Sequence, residues 1–197
     1  MNNFAHFTDS KYCVGLANGL DALEISLKAL GLSQGDEVIV PSNTFIATWL
    51  AVSNVGAIPI PVEPYEHNYS IDVSKIQDEI SHKTKAIIPV HLYGQPAAMD
   101  KILEIAHKNS LFVIEDAAQA IGSKFKGIDA GSAFRDPSRV GQVLAASLKV
   151  AHHSWMGIRA ATEMSAWKPR KPVKPRLAIL SGQDDGGIGH PFPVTTT

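Results

Sequence analysis

The sequence predicts an α/β fold, a mainly parallel sheet with flanking helices. Short β-branched apolar runs alternate with segments of helical periodicity, as βαβ units do. Turn residues separate these segments at short intervals. Hydrophobic residues make up 45% of the chain at a mean hydropathy near zero, the profile of a soluble domain with a real core.

The elements follow in order. Leu20, Leu23, Leu27 and Leu30 recur at helical spacing behind a polar Asn18-Gly19 start, and Gly31 supplies the stop. The turn Gln34-Gly35-Asp36 leads into Val38-Ile39-Val40, a short buried strand ended by Pro41, which has no N–H for a ladder. A helix is expected from about Ile46 to Asn54, stopping at Gly56. Residues 57–62 carry Pro59 and Pro61, which fits an edge strand or an extended connection. Residues 72–80 read as a short helix, 86–90 as a strand, Met99, Ile102, Leu103 and Ala106 as a helix face, and 111–114 as a strand. Open parallel sheets bind ligands beyond the carboxyl ends of their strands, so residues 43–45, 91–94 and 115–119 are the places to look.

The pattern degrades after Gly131. Residues 141–151 suit one short helix, whereas Trp167 to Arg176 contains three prolines that forbid regular structure. Residues 1–132 are therefore expected to form a partial ligand-binding domain, 133–164 to hold at most one helix, and 165–197 to be a disordered tail. Charge divides the chain at the same place. Residues 1–130 hold 9 basic and 15 acidic side chains (net −6), and 131–197 hold 9 basic and 4 acidic (net +5).

The overall charge of −1 points to no nucleic-acid partner. No apolar run reaches the roughly 20 residues of a membrane helix and the N-terminus lacks a signal-peptide pattern, so a cytoplasmic location is expected. The single cysteine, Cys13, cannot form an internal disulfide and reads as a small buried thiol. His91, His107, His152 and His153 are scattered without metal-ligand spacing, so no metal is expected.

Three features carry chemistry. Ile114-Glu115-Asp116-Ala117-Ala118-Gln119 puts an acidic pair at the end of a buried strand, beside small residues that admit a flat ligand; a helix cap or a metal ligand is the competing reading. The helix start Ala17-Asn18-Gly19-Leu20-Asp21 offers backbone N–H groups and a positive dipole end to a phosphate, as any helix start does. Phe45 stands where it could stack on an aromatic ring or simply fill a core. No Gly-x-Gly-x-x-Gly follows a strand, which disfavours a generic Rossmann nucleotide binder.

Taken in order, Asn18-Gly19-Leu20-Asp21-Ala22-Leu23, Val40-Pro41-Ser42-Asn43-Thr44-Phe45, Val90-His91-Leu92-Tyr93-Gly94-Gln95-Pro96 and Glu115-Asp116-Ala117-Ala118-Gln119-Ala120 resemble the consecutive signatures of the DegT-type nucleotide-sugar aminotransferases. The resemblance covers residues 12–132. It implies the large domain of fold-type I pyridoxal-phosphate (PLP) enzymes, with PLP as cofactor. Asp116 would pair with the pyridinium nitrogen, Phe45 would stack on the ring, Gln119 would hydrogen-bond the phenolic oxygen, and the backbone at Gly19 and Leu20 would bind the phosphate, aided by the partner subunit of a homodimer. The implied reaction moves an amino group from glutamate to a keto sugar carried on a nucleotide, as in polysaccharide biosynthesis. With Trp49-Leu50-Ala51-Val52 downstream, the pattern is most similar to members acting on dTDP-linked 3-keto-6-deoxy sugars.

The resemblance stops near residue 132. The family's Ser-Phe-x-Pro-x-Lys-Asn-Leu-Gly segment supplies the lysine that forms a Schiff base with PLP and shuttles the proton. No lysine stands at its expected place near Ala145; Lys149 is the nearest candidate catalytic residue. The abrupt change of composition is what a truncated or frameshifted gene product gives, and reading the coding DNA in the other two frames after codon 132 tests that. The alternative expectation is a catalytically inert remnant or interaction protein of the same fold, whose basic proline-rich tail meets an acidic partner.

Overall fold

The computed structural model describes residues 2–8, 10, 13–132, 143–151, 155–160 and 176–181, the last three segments and residues 2–4 as backbone only. Its described strands include one mainly parallel sheet of eight. Helices α1 (Asn2–Phe7), α2 (Gly19–Ala29), α3 (Ile46–Asn54), α4 (Val73–Ile76) and α5 (Met99–Lys108) accompany strands β1 (Cys13–Leu16), β2 (Glu37–Pro41), β3 (Ile58–Val62), β4 (Thr84–Ile87) and β5 (Phe112–Asp116). A small hairpin, β6 (Lys124–Phe125) with β7 (Ile128–Asp129), follows, and then β8 (Val143–Ala151), β9 (Trp155–Ala160) and β10 (Arg176–Ser181).

From one edge the sheet runs β3, β2, β4, β5, β8, all parallel. Strands β10 and β1 continue the parallel direction, and β9 is antiparallel to both and to β8. The two prolines of β3 pair with Val38 and Val40 of β2, and β3 lies at the sheet edge where missing donors cost nothing.

Strand alternation sorts the core into two layers. Val38, Val40, Ala86, Ile88 and Ile114 face Ala22, Leu23 and Leu27 of α2 and Ala51 and Val52 of α3. Ile39, Ile87 and Val113 face Met99, Ile102, Leu103 and Ala106 of α5, with Val73 and Ile76 of α4. Of the leucines at helical spacing, Leu23 and Leu27 are buried and Leu20 and Leu30 partly so, and the four residues read as the α5 face are all buried.

Three helices end alike. After α2, Gly31 N–H bonds the Lys28 carbonyl and Leu32 N–H that of Leu27; after α3, Gly56 and Ala57 repeat this on Ser53 and Val52; after α5, Ser110 and Leu111 repeat it on His107 and Ala106. The pattern requires a left-handed residue at the turn. Gly31 and Gly56 both adopt φ 81°, and Ser110 adopts φ 56°. Each turn then drops a buried apolar residue, Leu32, Ala57 or Leu111, at the way into the next strand.

Three expectations need correction. Of residues 141–151, expected as a short helix, Val143–Ala151 runs as strand β8, because a strand beside β5 satisfies the ladder groups of an otherwise open edge, and such pairing overrides local preference. Within 165–197, expected to lack regular structure, Arg176–Ser181 is a strand pairing β1 and β8; the rest of that tail lies outside the described residues. Cys13 is half-buried in β1 rather than a buried core thiol, since β1 packs only partly against the α5 layer.

Candidate active site

The three strand ends singled out from the sequence meet at one end of the sheet. Asp116 closes β5, and its backbone ties two of them: Asp116 N–H donates to the Pro89 carbonyl at 2.9 Å and the His91 N–H donates to the Asp116 carbonyl at 3.0 Å. The third arrives through α3, whose Thr48 hydroxyl donates to Oδ2 of Asp116 at 3.2 Å.

Alternation in β5 sends the acidic pair to opposite faces. Asp116 lies on the α2/α3 side, 6% exposed, with the Ala118 N–H donating to Oδ1 at 3.1 Å. Burial pushes its carboxyl above its ordinary value, against the lowering effect of the Ala118 and Thr48 hydrogen bonds. Glu115 is fully buried on the other side. Its Oε2 meets Nε2 of buried His91 at 3.1 Å and accepts the Gly131 N–H at 2.9 Å. Neither carboxylate caps a helix, and among the described residues no three His, Cys, Asp or Glu side chains stand together as a metal site. The carboxylate available to a ligand is therefore Asp116.

Phe45 caps the start of α3 in an extended conformation and is 61% exposed, one helical turn from Thr48. The Thr48 N–H donates to the Phe45 carbonyl at 3.1 Å, so the helix that buries a hydroxyl on Asp116 also holds the aromatic ring outside. At the start of α2, Asn18 Oδ1 accepts the Asp21 N–H at 2.8 Å and Asn18 Nδ2 donates to the Asp21 carboxylate at 2.9 Å. Ala22 N–H bonds the Asn18 carbonyl. Among the described residues this leaves Gly19 and Leu20 as the α2 donors without an intramolecular acceptor. Leu20 and Ala118 border the same apolar layer, which sets the helix start on the Asp116 face of the sheet.

Gln119 is exposed and its Oε1 accepts the Tyr93 N–H at 2.9 Å, which crosslinks the loops after β4 and β5. Ser123 strengthens that link by donating to the Gly94 carbonyl at 2.7 Å. Strand β8 places Ala145 beside Glu115 and Ala146 beside Asp116. Lys149 is three residues further along, about 10 Å at the usual strand rise, and pairs with Gly157; its side chain lies outside the described residues. The structure thus gathers Asp116, Phe45, Gln119 and the Gly19-Leu20 start at one end of the sheet. It also shows two partners that the sequence reading missed, Thr48 and His91.

A buried, under-compensated carboxylate is suited to a cationic ring N–H, an exposed aromatic to a ring face, and a helix start to a phosphate. The residues present fit PLP in kind.

The model of the DegT/DnrJ/EryC1/StrS aminotransferase family matches residues 2–147. The chain belongs to that family. It is 52% identical over 131 residues to the erythromycin biosynthesis sensory transduction protein EryC1 of Saccharopolyspora erythraea, covering 66% of this chain and 36% of that protein. It is 49% identical over 131 residues to dTDP-3-amino-3,4,6-trideoxy-alpha-D-glucose transaminase of Streptomyces venezuelae, covering 66% and 35%. Its fold matches the crystal structure of S. venezuelae DesV in complex with a ketimine intermediate, with a TM-score of 0.68, 44% identity, and 75% and 38% of the two chains covered. The chain spans about a third of the length of the curated relatives it matches. The mainly parallel sheet with flanking helices is that of fold-type I PLP aminotransferases. Among the described residues no helix is long and apolar enough to cross a membrane.

Proposed function

We propose that this chain carries the cofactor-holding part of a PLP-dependent aminotransferase that moves an amino group from glutamate to a nucleotide-linked keto sugar, with a dTDP-linked 3-keto-6-deoxy sugar as the substrate class. The observation that carries the reading is Asp116: a carboxylate buried at the end of β5, held by Thr48 and the Ala118 N–H and pushed up by burial, which a cationic ring nitrogen would stabilise. The dTDP-amino-sugar transaminase among its relatives supports the substrate class.

When bound, PLP supplies an electron sink for the electron pair left as a substrate C–H bond breaks. Asp116 holds the proton on the ring nitrogen. Phe45 covers one ring face and keeps water from it. The amide of Gln119 donates to the phenolic oxygen, and the N–H groups of Gly19 and Leu20 take the phosphate at the positive end of α2, assisted by the partner subunit of a homodimer.

One observation favours a second reading. The strand segment beside Glu115 and Asp116 reads Ala145-Ala146, at the place where the resemblance would put the family's lysine. On that reading the chain holds PLP without a covalent bond and does not transaminate. Titrating the full chain with PLP, reducing with borohydride and mapping the labelled peptide tests both. Label on Lys149 supports an active site; saturable binding without label supports the inert holder; no saturable binding refutes the cofactor reading.

A further inference from the structure

Two hydroxyls lie in line behind the buried carboxylate. Thr48 is 1% exposed, on the first turns of α3, with its Oγ1 3.2 Å from Oδ2 of Asp116 and 3.0 Å from Oγ1 of Thr44. Thr44 is half-buried, next to exposed Phe45. A hydroxyl has one proton to give. Thr48 gives its proton to Asp116, so its oxygen accepts from Thr44, and the Thr44 hydroxyl is fixed in turn.

We propose that Thr48 is a positioning residue for the cofactor, its hydroxyl aiming and keeping ionised the Asp116 carboxylate, with Thr44 orienting that hydroxyl from the mouth of the site. This rests on the reading of Asp116 as the ring-nitrogen partner. Oδ1 of Asp116 is held by the Ala118 N–H, which belongs to the same loop and moves with it. Thr48 holds Oδ2 from a separate element, 68 residues away, and so fixes the carboxylate against the helix that carries Phe45. Ring face and ring nitrogen are registered to each other through one side chain. The hydroxyl also stabilises the anion directly, because a donor to a charged oxygen favours the charged form, and here burial works the other way.

The test uses three variants of the full chain, each checked for native secondary structure. Thr48→Val keeps the shape and loses the donor; Thr48→Ser keeps the donor and loses the methyl; Thr44→Val removes the outer hydroxyl from a half-exposed position. Two readouts are independent. The first is the ¹³C-carboxyl titration of Asp116 without cofactor, and the second is PLP affinity by equilibrium dialysis. Thr48→Val is expected to move the Asp116 titration to higher pH and weaken PLP roughly tenfold or more, Thr48→Ser to restore both, and Thr44→Val to act in the same direction but less. Unchanged titration in Thr48→Val, or a Ser variant that behaves like Val, overturns the proposal. If the unaltered chain fails to bind PLP while the titration still separates Val from Ser, the cofactor reading falls and the hydroxyl–carboxylate coupling stands.

Discussion

The His91 imidazole and the Glu115 carboxylate meet at 3.1 Å with neither side chain exposed to solvent. Nδ1 of His91 accepts the Ala97 N–H at 3.1 Å, so the neutral ring carries its proton on Nε2 and donates it to Glu115. With the Gly131 N–H on the same oxygen, this pair joins the loop after β4, the end of β5 and the turn after β7. His91→Leu leaves a buried carboxylate without its ring partner and strands the Ala97 N–H. The expected cost is about 3 kcal/mol, read as a lower denaturant midpoint. A loss below about 1 kcal/mol would mean the pair does not hold these loops.

Asp116 lowers stability in the chain without ligand. Its folded-state pKa is raised by burial, so the folded chain retains the proton to higher pH than the unfolded chain does. Stability therefore falls as pH rises from the ordinary carboxylate range through the raised value, and levels off above it. Asp116→Asn removes the titration. It is expected to be more stable than the unaltered chain at neutral pH, to show a flatter stability–pH curve, and to bind PLP roughly tenfold or more weakly. Denaturant melts at acid and neutral pH, with a PLP titration, check all three; a parallel pH curve in the variant would contradict the burial argument.

What the sequence made legible was local. The α2 face was written in Leu23 and Leu27, the edge position of β3 in Pro59 and Pro61, and the stops of α2 and α3 in Gly31 and Gly56. Long-range pairing was not legible. Strand β8 exists because β5 has an edge to cover, and nothing in its alanine-rich run distinguishes strand from helix. The contact from Thr48 to Asp116 spans 68 residues and that from His91 to Glu115 spans 24, so neither leaves a spacing signature. The one available hint was Thr44 and Thr48, four apart at a helix start beside Phe45, which puts two hydroxyls on one face.

The three like-ended helices allow a graded test of the turn. Gly31 and Gly56 share φ 81°, but a Cβ at Gly31 meets nothing within 4 Å, whereas one at Gly56 sits 3.2 Å from Cα of Gln34. Gly31→Ala is expected to cost about 1 kcal/mol, from the left-handed backbone alone, and Gly56→Ala measurably more. Ser110, already left-handed at φ 56°, should gain about 0.5 kcal/mol on Ser110→Gly, the relief of strain exceeding the added freedom of the unfolded chain. Thermal melts of the three variants give the order; equal losses at Gly31 and Gly56 would show that the Gln34 backbone yields freely.

Gln119 offers a test that separates a loop tie from a ligand contact. The Tyr93 N–H fixes Oε1 as the accepting end of the amide, which makes Nε2 the donor end available to a phenolic oxygen. Gln119→Glu keeps an acceptor for Tyr93 but replaces the donor with a second anionic oxygen, which repels an oxygen-rich ligand edge. Its melting temperature should match that of the unaltered chain while PLP affinity falls roughly tenfold. Gln119→Leu loses the Tyr93 link as well and should lower both. If Glu binds PLP as well as Gln does, the side chain serves only to tie the two loops, and the phenolic oxygen has another partner.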